Sequence, residues 1–170
     1  MSIRIIQTAI SLLKSIHPTP TRSRVDEKRV RGLKTEKNLP PKGGKMTVSK
    51  VLIVEDSAIF RKLLKDTLRS QFPSMDIFEA ADGKEAMQRI LSDPPDLIFM
   101  DIKLPGESGL ELTAKIKAKH PDVIVIILTS YDSPEYRQAA DQVKANHFLS
   151  KGSSSKESIL TLVESALAGR

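Results

Sequence analysis

A doubly wound α/β domain with a five-stranded parallel sheet and five helices is the fold this sequence predicts. Three observations carry the prediction. Apolar runs alternate with amphipathic stretches five times from residue 48 onward. The clearest runs are continuous rather than alternating, as in strands covered on both faces. Strands separated by helices call for parallel pairing through right-handed crossovers, with helices on both faces of the sheet.

The elements follow in order. Val51-Leu52-Ile53-Val54 is the first strand. Ser57 is placed to cap a helix whose apolar positions Phe60, Leu63, Leu64, Thr67 and Leu68 recur at helical spacing, and Pro73 ends it. Met75–Ala80 is the second strand and Gly83–Leu91 a short helix. Pro94-Pro95 breaks the chain before a third strand over Asp96–Asp101. Pro105-Gly106 predicts a loop, followed by a helix from about Ser108 to His120. Val123–Leu128, the most apolar run, is expected to be the central strand. Asp132 or Ser133 caps a fourth helix, Ala145–Leu149 is the fifth strand, and Ser153–Ser155 cap a last helix.

Charge divides the chain. Residues 1–45 hold eleven Lys/Arg and three Asp/Glu, a net +8, whereas residues 46–170 hold sixteen and eighteen, a net −2. The basicity of the whole therefore belongs to the N-terminal segment, which is expected to be a solvated, disordered extension preceding the domain at 46–170. Two other readings of that segment are nucleic-acid or lipid binding and a start of the natural protein at Met46. Its apolar stretch Ile3–Ile16 is interrupted by Arg4 and Lys14 and falls short of the ~20 residues a membrane span needs. Cysteine is absent, which excludes disulfides, thiolate nucleophiles and Cys-ligated zinc. His17, His120 and His147 lack metal-ligand spacing.

Functional residues in such a sheet gather at the carboxyl ends of the strands, at the point where strand order reverses. Here the first strand ends in Glu55-Asp56, the third in Asp101, the fourth in Thr129-Ser130, and the fifth leads into Lys151. Each residue alone has an ordinary explanation: an acid at a helix cap, a β-branched strand residue, an exposed lysine. Acids, a hydroxyl and an ammonium group on four strand tips are harder to obtain by chance. Three converging carboxylates repel, and a hard divalent cation such as Mg²⁺ resolves the conflict better than zinc.

These residues resemble the response-regulator receiver domain, the phosphoacceptor half of two-component signalling. The matching segments are Val51-Leu52-Ile53-Val54-Glu55-Asp56-Ser57, Asp96 through Gly106, Ser108 through Leu112, Ile126-Ile127-Leu128-Thr129-Ser130 and Phe148-Leu149-Ser150-Lys151. The resemblance implies a flavodoxin-like sheet of order 2-1-3-4-5 and a cytoplasmic regulatory domain that is not an enzyme in its own right. It implies Asp101 as phosphoacceptor, with Mg²⁺ held by Asp56, Asp101 and the backbone carbonyl of Lys103, and Glu55 acting mostly through water. Lys151 and Thr129 would contact phosphoryl oxygens. Thr129 and Phe148 would form the switch, Phe148 turning inward without the phenolic hydroxyl many members carry; a plain core role for Phe148 is the alternative.

The expected donor is a histidine kinase or phosphotransfer protein, and the expected output a downstream protein target; a homodimer is compatible with the pattern. Lys103 and Tyr131, each two residues beyond a site residue, are expected to set the lifetime of the phosphorylated state. Gly152 and Ser153-Ser154-Ser155 stand where the family usually has Pro after the lysine. That departure resembles the subgroup whose receivers precede helix-turn-helix domains. A stand-alone receiver is therefore weighed against a truncated transcription regulator that has lost its DNA-binding domain. Lys103 occupies the place where aspartyl phosphatases need a second Asp, and Glu55-Asp56 would repel the phosphate of a flavin, so neither enzyme class fits.

Overall fold

The computed structural model describes residues 49–168. The expectations about residues 1–45, and about a start at Met46, lie outside the described residues. Five strands, β1 (Lys50–Val54), β2 (Asp76–Ala80), β3 (Leu97–Met100), β4 (Ile124–Thr129) and β5 (His147–Ser150), alternate with five helices. The helices are α1 (Ala58–Gln71), α2 (Gly83–Ser92), α3 (Gly109–Lys119), α4 (Pro134–Gln142) and α5 (Lys156–Ala168). All strand pairs are parallel and the order is β2-β1-β3-β4-β5, as expected.

Side chains alternate across the sheet because strand residues point to opposite faces in turn. Val51, Ile53, Leu97, Phe99, Ile126 and Leu128 pack against α1 and α5 through Leu64, Leu68, Ile159 and Val163. Leu52, Val54, Ile98, Met100, Val125 and Ile127 pack against α2, α3 and α4 through Ala86, Ile90, Leu112, Ile116 and Ala140. Two helices thus cover one face and three the other. This is why β1, β3 and β4 read as unbroken apolar runs.

One expectation is corrected. The middle strand is β3, not β4. Apolar composition reports cover on both faces, and β4 has that cover while lying one place from the edge. Boundaries moved where side chains replace ladder bonds. β5 begins at His147 rather than Ala145 because Asn146 bonds Val125 with both its backbone N–H and its side-chain Oδ1, at 2.8 and 2.9 Å. Lys144 just before it is left-handed, with φ 61°.

Caps account for the helix starts. Ser57 Oγ accepts from Phe60 N–H, Asp82 from Glu85, Ser108 from Leu110, and Ser155 from Ser158. Ser133 occupies the N-cap of α4, but its hydroxyl donates to Glu135 Oε2 at 2.6 Å, and Pro134 at the first turn removes one orphan N–H. Asp132, the other expected cap, is paired with Arg137. Gly106 takes φ 84° in the loop after β3, a conformation that glycine adopts without a Cβ penalty.

Candidate functional site

The chain runs from β1 out to β2 and then returns to the other side of β1 as β3, so the order reverses between β1 and β3. The segments leaving these two strands carry Glu55-Asp56 and Asp101. One carboxylate oxygen from each of the three acids lies within 4.8 Å of the others. Glu55 and Asp101 are buried, at 4% and 7% exposure, while Asp56 faces solvent.

Lys151 enters from the end of β5. Its Nζ donates to Asp101 Oδ2 at 2.7 Å and to Glu55 Oε2. Phe60, on the first turn of α1, lies beneath it, with the ring centroid 4.4 Å from Nζ. The backbone N–H of Lys151 donates to the Thr129 carbonyl at 2.8 Å, which ties the exit of β5 to the tip of β4. Thr129 is fully buried, and its Oγ1 accepts from Tyr131 N–H at 3.3 Å. The structure therefore brings Glu55, Asp56, Asp101, Thr129 and Lys151 to one end of the sheet.

Phe148 lies on β5, half-buried, with the Arg137 guanidinium 4.6 Å from its ring centroid and Arg137 tied to Asp132 at 2.7 Å. Lys103 donates its backbone N–H to Asp101 Oδ1 at 3.4 Å, while its ammonium lies 5.4 Å from the Tyr131 ring and 6.0 Å from that of Tyr136. The two rings meet edge to face, 5.9 Å apart. Three contacts in this region escaped the sequence reading. They are Phe60 under Lys151, Tyr136 beside Tyr131, and Gly109, on which a Cβ would meet the Asp101 carbonyl oxygen at 1.9 Å.

The electrostatics follow from burial. Desolvation pushes the Glu55 carboxyl up to about 7, Lys151 pulls against that rise, and the Asp101 charge adds to it. Between its ordinary 4.5 and about 7, the folded protein binds more proton at Glu55 than the unfolded chain does. Metal-free stability is therefore expected to fall as pH rises through that window, by about 3 kcal/mol in all. The carboxyls of Glu79, Glu85 and Asp132 are shifted downward instead, so their contributions are lost only at lower pH. Urea midpoints of metal-free protein from about pH 5 to about pH 8 check this. Glu55→Gln should flatten the trend, and an already flat wild type would contradict it.

An all-oxygen, anionic donor set with one solvent-facing member suits a hard divalent cation, so the residues present fit Mg²⁺. Residues 51–164 match the family model described as the response regulator receiver domain. The chain belongs to the response-regulator receiver family. Such receivers are regulatory phosphoacceptor domains of two-component systems, not catalytic enzymes, and they bind Mg²⁺ at an acidic pocket.

This receiver is 35% identical over 114 residues to the oxygen regulatory protein NreC of Staphylococcus epidermidis, an alignment covering 66% of the chain and 52% of NreC. It resembles the receiver domain of a putative LuxO repressor from Vibrio parahaemolyticus with a TM-score of 0.67 at 31% identity, covering 72% of the chain and 92% of that structure. A DNA-binding response regulator of the LuxR family from Staphylococcus aureus gives a TM-score of 0.65 at 26% identity, covering 70% and 98%. The chain spans about half or less of the length of the curated relatives it matches. Among the described residues, no helix is long and apolar enough to cross a membrane.

Proposed function

We propose that Asp101 accepts a phosphoryl group from a phosphohistidine on a histidine kinase or phosphotransfer protein. The N–P bond of the donor breaks as an Asp101 carboxylate oxygen bonds phosphorus, leaving an acyl phosphate. The observation that carries this reading is the meeting of Asp101, two further acids and the Lys151 ammonium at the reversal point of the sheet. Asp56, Asp101 and the backbone carbonyl of Lys103 would hold Mg²⁺, with Glu55 acting mostly through water, and the ion would supply charge neutralisation for the incoming phosphoryl oxygens.

Lys151 can exchange its contact with Asp101 for a phosphoryl oxygen at little cost in geometry. Thr129 would turn its hydroxyl from the Tyr131 amide to another phosphoryl oxygen. Phe148 would then move into the space released, exchanging its contact with Arg137 for burial. Lys103 and Tyr131 would govern access of water to the acyl phosphate.

Incubating the protein with acetyl phosphate, with Mg²⁺ or with chelator, tests the reading by intact mass. A Mg²⁺-dependent gain of one phosphoryl group, removed by hydroxylamine, is expected. No gain in Mg²⁺ would end it. Following loss of the label after donor removal in Lys103→Ala and Tyr131→Ala tests their role, and lifetimes equal to wild type would rule it out.

The output surface proposed is the β4–α4–β5 side around Phe148, acting through a protein target. A second reading is favoured by the relatives. NreC is longer than this chain, and the Staphylococcus aureus neighbour is named a DNA-binding regulator. On that reading the receiver controls a DNA-binding domain. The intact mass of the protein isolated from its source distinguishes the two.

A further inference from the structure

Glu55 and Asp56 are consecutive, and consecutive residues on extended chain point to opposite sides. Both nevertheless bring a carboxylate oxygen within 4.8 Å of Asp101. The backbone must therefore be held in a turned conformation between β1 and α1. Arg61 is placed to hold it. Long side chains on a helix run back toward its N-terminus, and the Arg61 guanidinium reaches behind the start of α1. Its Nη1 donates to the carbonyl of Glu55 at 2.5 Å and to that of Asp56 at 3.2 Å. Its Nε lies 3.5 Å from Glu79 Oε2, and its side chain is 16% exposed. Glu79 sits on β2, in register with Ile53, and also pairs with Lys65 one turn further along α1. Those cations keep the Glu79 carboxyl below the usual carboxylate range, Lys65 contributing most.

We infer that Arg61, anchored by Glu79, is a positioning residue for the cation site: it grips the two carbonyls behind Glu55 and Asp56 and so aims both carboxylates at Asp101. The inference rests on reading the acid cluster as a Mg²⁺ site. Two physical effects of removing Arg61 have opposite signs. Loss of a nearby positive charge tightens a divalent cation, because the local potential becomes more negative. Loss of the grip weakens it, because the ligands must be ordered at the moment of binding. Outer-shell partners of metal ligands are typically worth about 10- to 100-fold in metal affinity, so the grip is expected to prevail.

The test is calorimetric titration of Mg²⁺ into wild type, Arg61→Ala, Arg61→Lys and Glu79→Gln at constant pH, with urea unfolding in chelator as a check of the fold. Arg61→Ala and Arg61→Lys are both expected to bind Mg²⁺ about tenfold more weakly. Lysine keeps the charge but lacks the planar fork that reaches two carbonyls and a carboxylate together. Glu79→Gln should weaken binding a few-fold, in the same direction. Affinity equal to or tighter than wild type in Arg61→Ala overturns the inference, even if its urea midpoint falls, because a purely structural role lowers stability without loosening the ion. If Arg61→Ala shows no cooperative unfolding, Arg61→Lys decides, and wild-type affinity there overturns the inference. A wild type that binds no Mg²⁺ overturns the site reading and this inference with it, whereas normal wild-type binding with unchanged variants overturns only the role of Arg61.

Discussion

Asp101→Asn is expected to take up no phosphoryl group from acetyl phosphate in Mg²⁺. The amide that replaces the carboxylate has no charged oxygen to attack phosphorus, and Lys151 loses one of its two anionic partners. Suppression of labelling by at least ~10³-fold, about 4 kcal/mol of barrier, is the expected size. The same variant should change the metal-free protein in a separable way. The Asp101 charge is one cause of the raised Glu55 carboxyl, so removing it lowers that group and shrinks the loss of stability with rising pH. Intact mass and urea midpoints measure the two effects independently. Labelling of Asp101→Asn at the wild-type level would remove Asp101 from the central role, whatever the stability data showed.

Gly109→Ala is expected to cost about 3 kcal/mol, the upper end for overpacking a close-packed site. Gly109 is the first residue of α3, and its N–H donates to the Ile102 carbonyl at 2.9 Å. A Cβ there would meet the Asp101 carbonyl oxygen at 1.9 Å, the Asp101 carbonyl carbon at 2.9 Å and Met100 Cγ at 3.0 Å. The first two are backbone atoms that no rotamer change can move. Relief must come from lifting the start of α3 or displacing the peptide of Asp101. Either choice disturbs the acid cluster, so labelling of the folded variant should also slow. The nearby Gly106 gives a contrast, since a Cβ there meets nothing within 4 Å and only its positive φ is at stake. A urea midpoint for Gly109→Ala within error of wild type would show that the loop yields without cost.

Much of this was legible in the sequence, and the reason lies in periodicity. Continuous apolar runs such as Val51–Val54 and Ile124–Leu128 mark strands covered on both faces, and the spacing of Leu64 and Leu68 marks one helical face. Once the strands are placed, topology alone puts Glu55, Asp56, Asp101, Thr129 and Lys151 at one end of the sheet. What stayed hidden depends on how elements meet rather than on how each repeats. Phe60 reads as an ordinary apolar helix position, yet its ring supports Lys151 from 91 positions away along the chain. Arg61 lies off the apolar spacing of α1 and carries no signal of its own in the sequence, although its partners are carbonyls five and six residues back. Gly109 is explained only by the carbonyl that α3 approaches. The middle strand was misplaced because greasiness measures cover above and below a strand, not the number of neighbours beside it.

The Lys151–Glu55 bond joins residues 96 positions apart, and Lys151–Asp101 spans 50. A chain emerging from the ribosome therefore carries its acidic residues long before the ammonium that balances them. Until β5 docks beside β4, those acids have no Lys151 partner. The ammonium that balances the acids thus comes from the last strand of the described sheet to be synthesised, so the charge balance of the pocket waits on the docking of that strand.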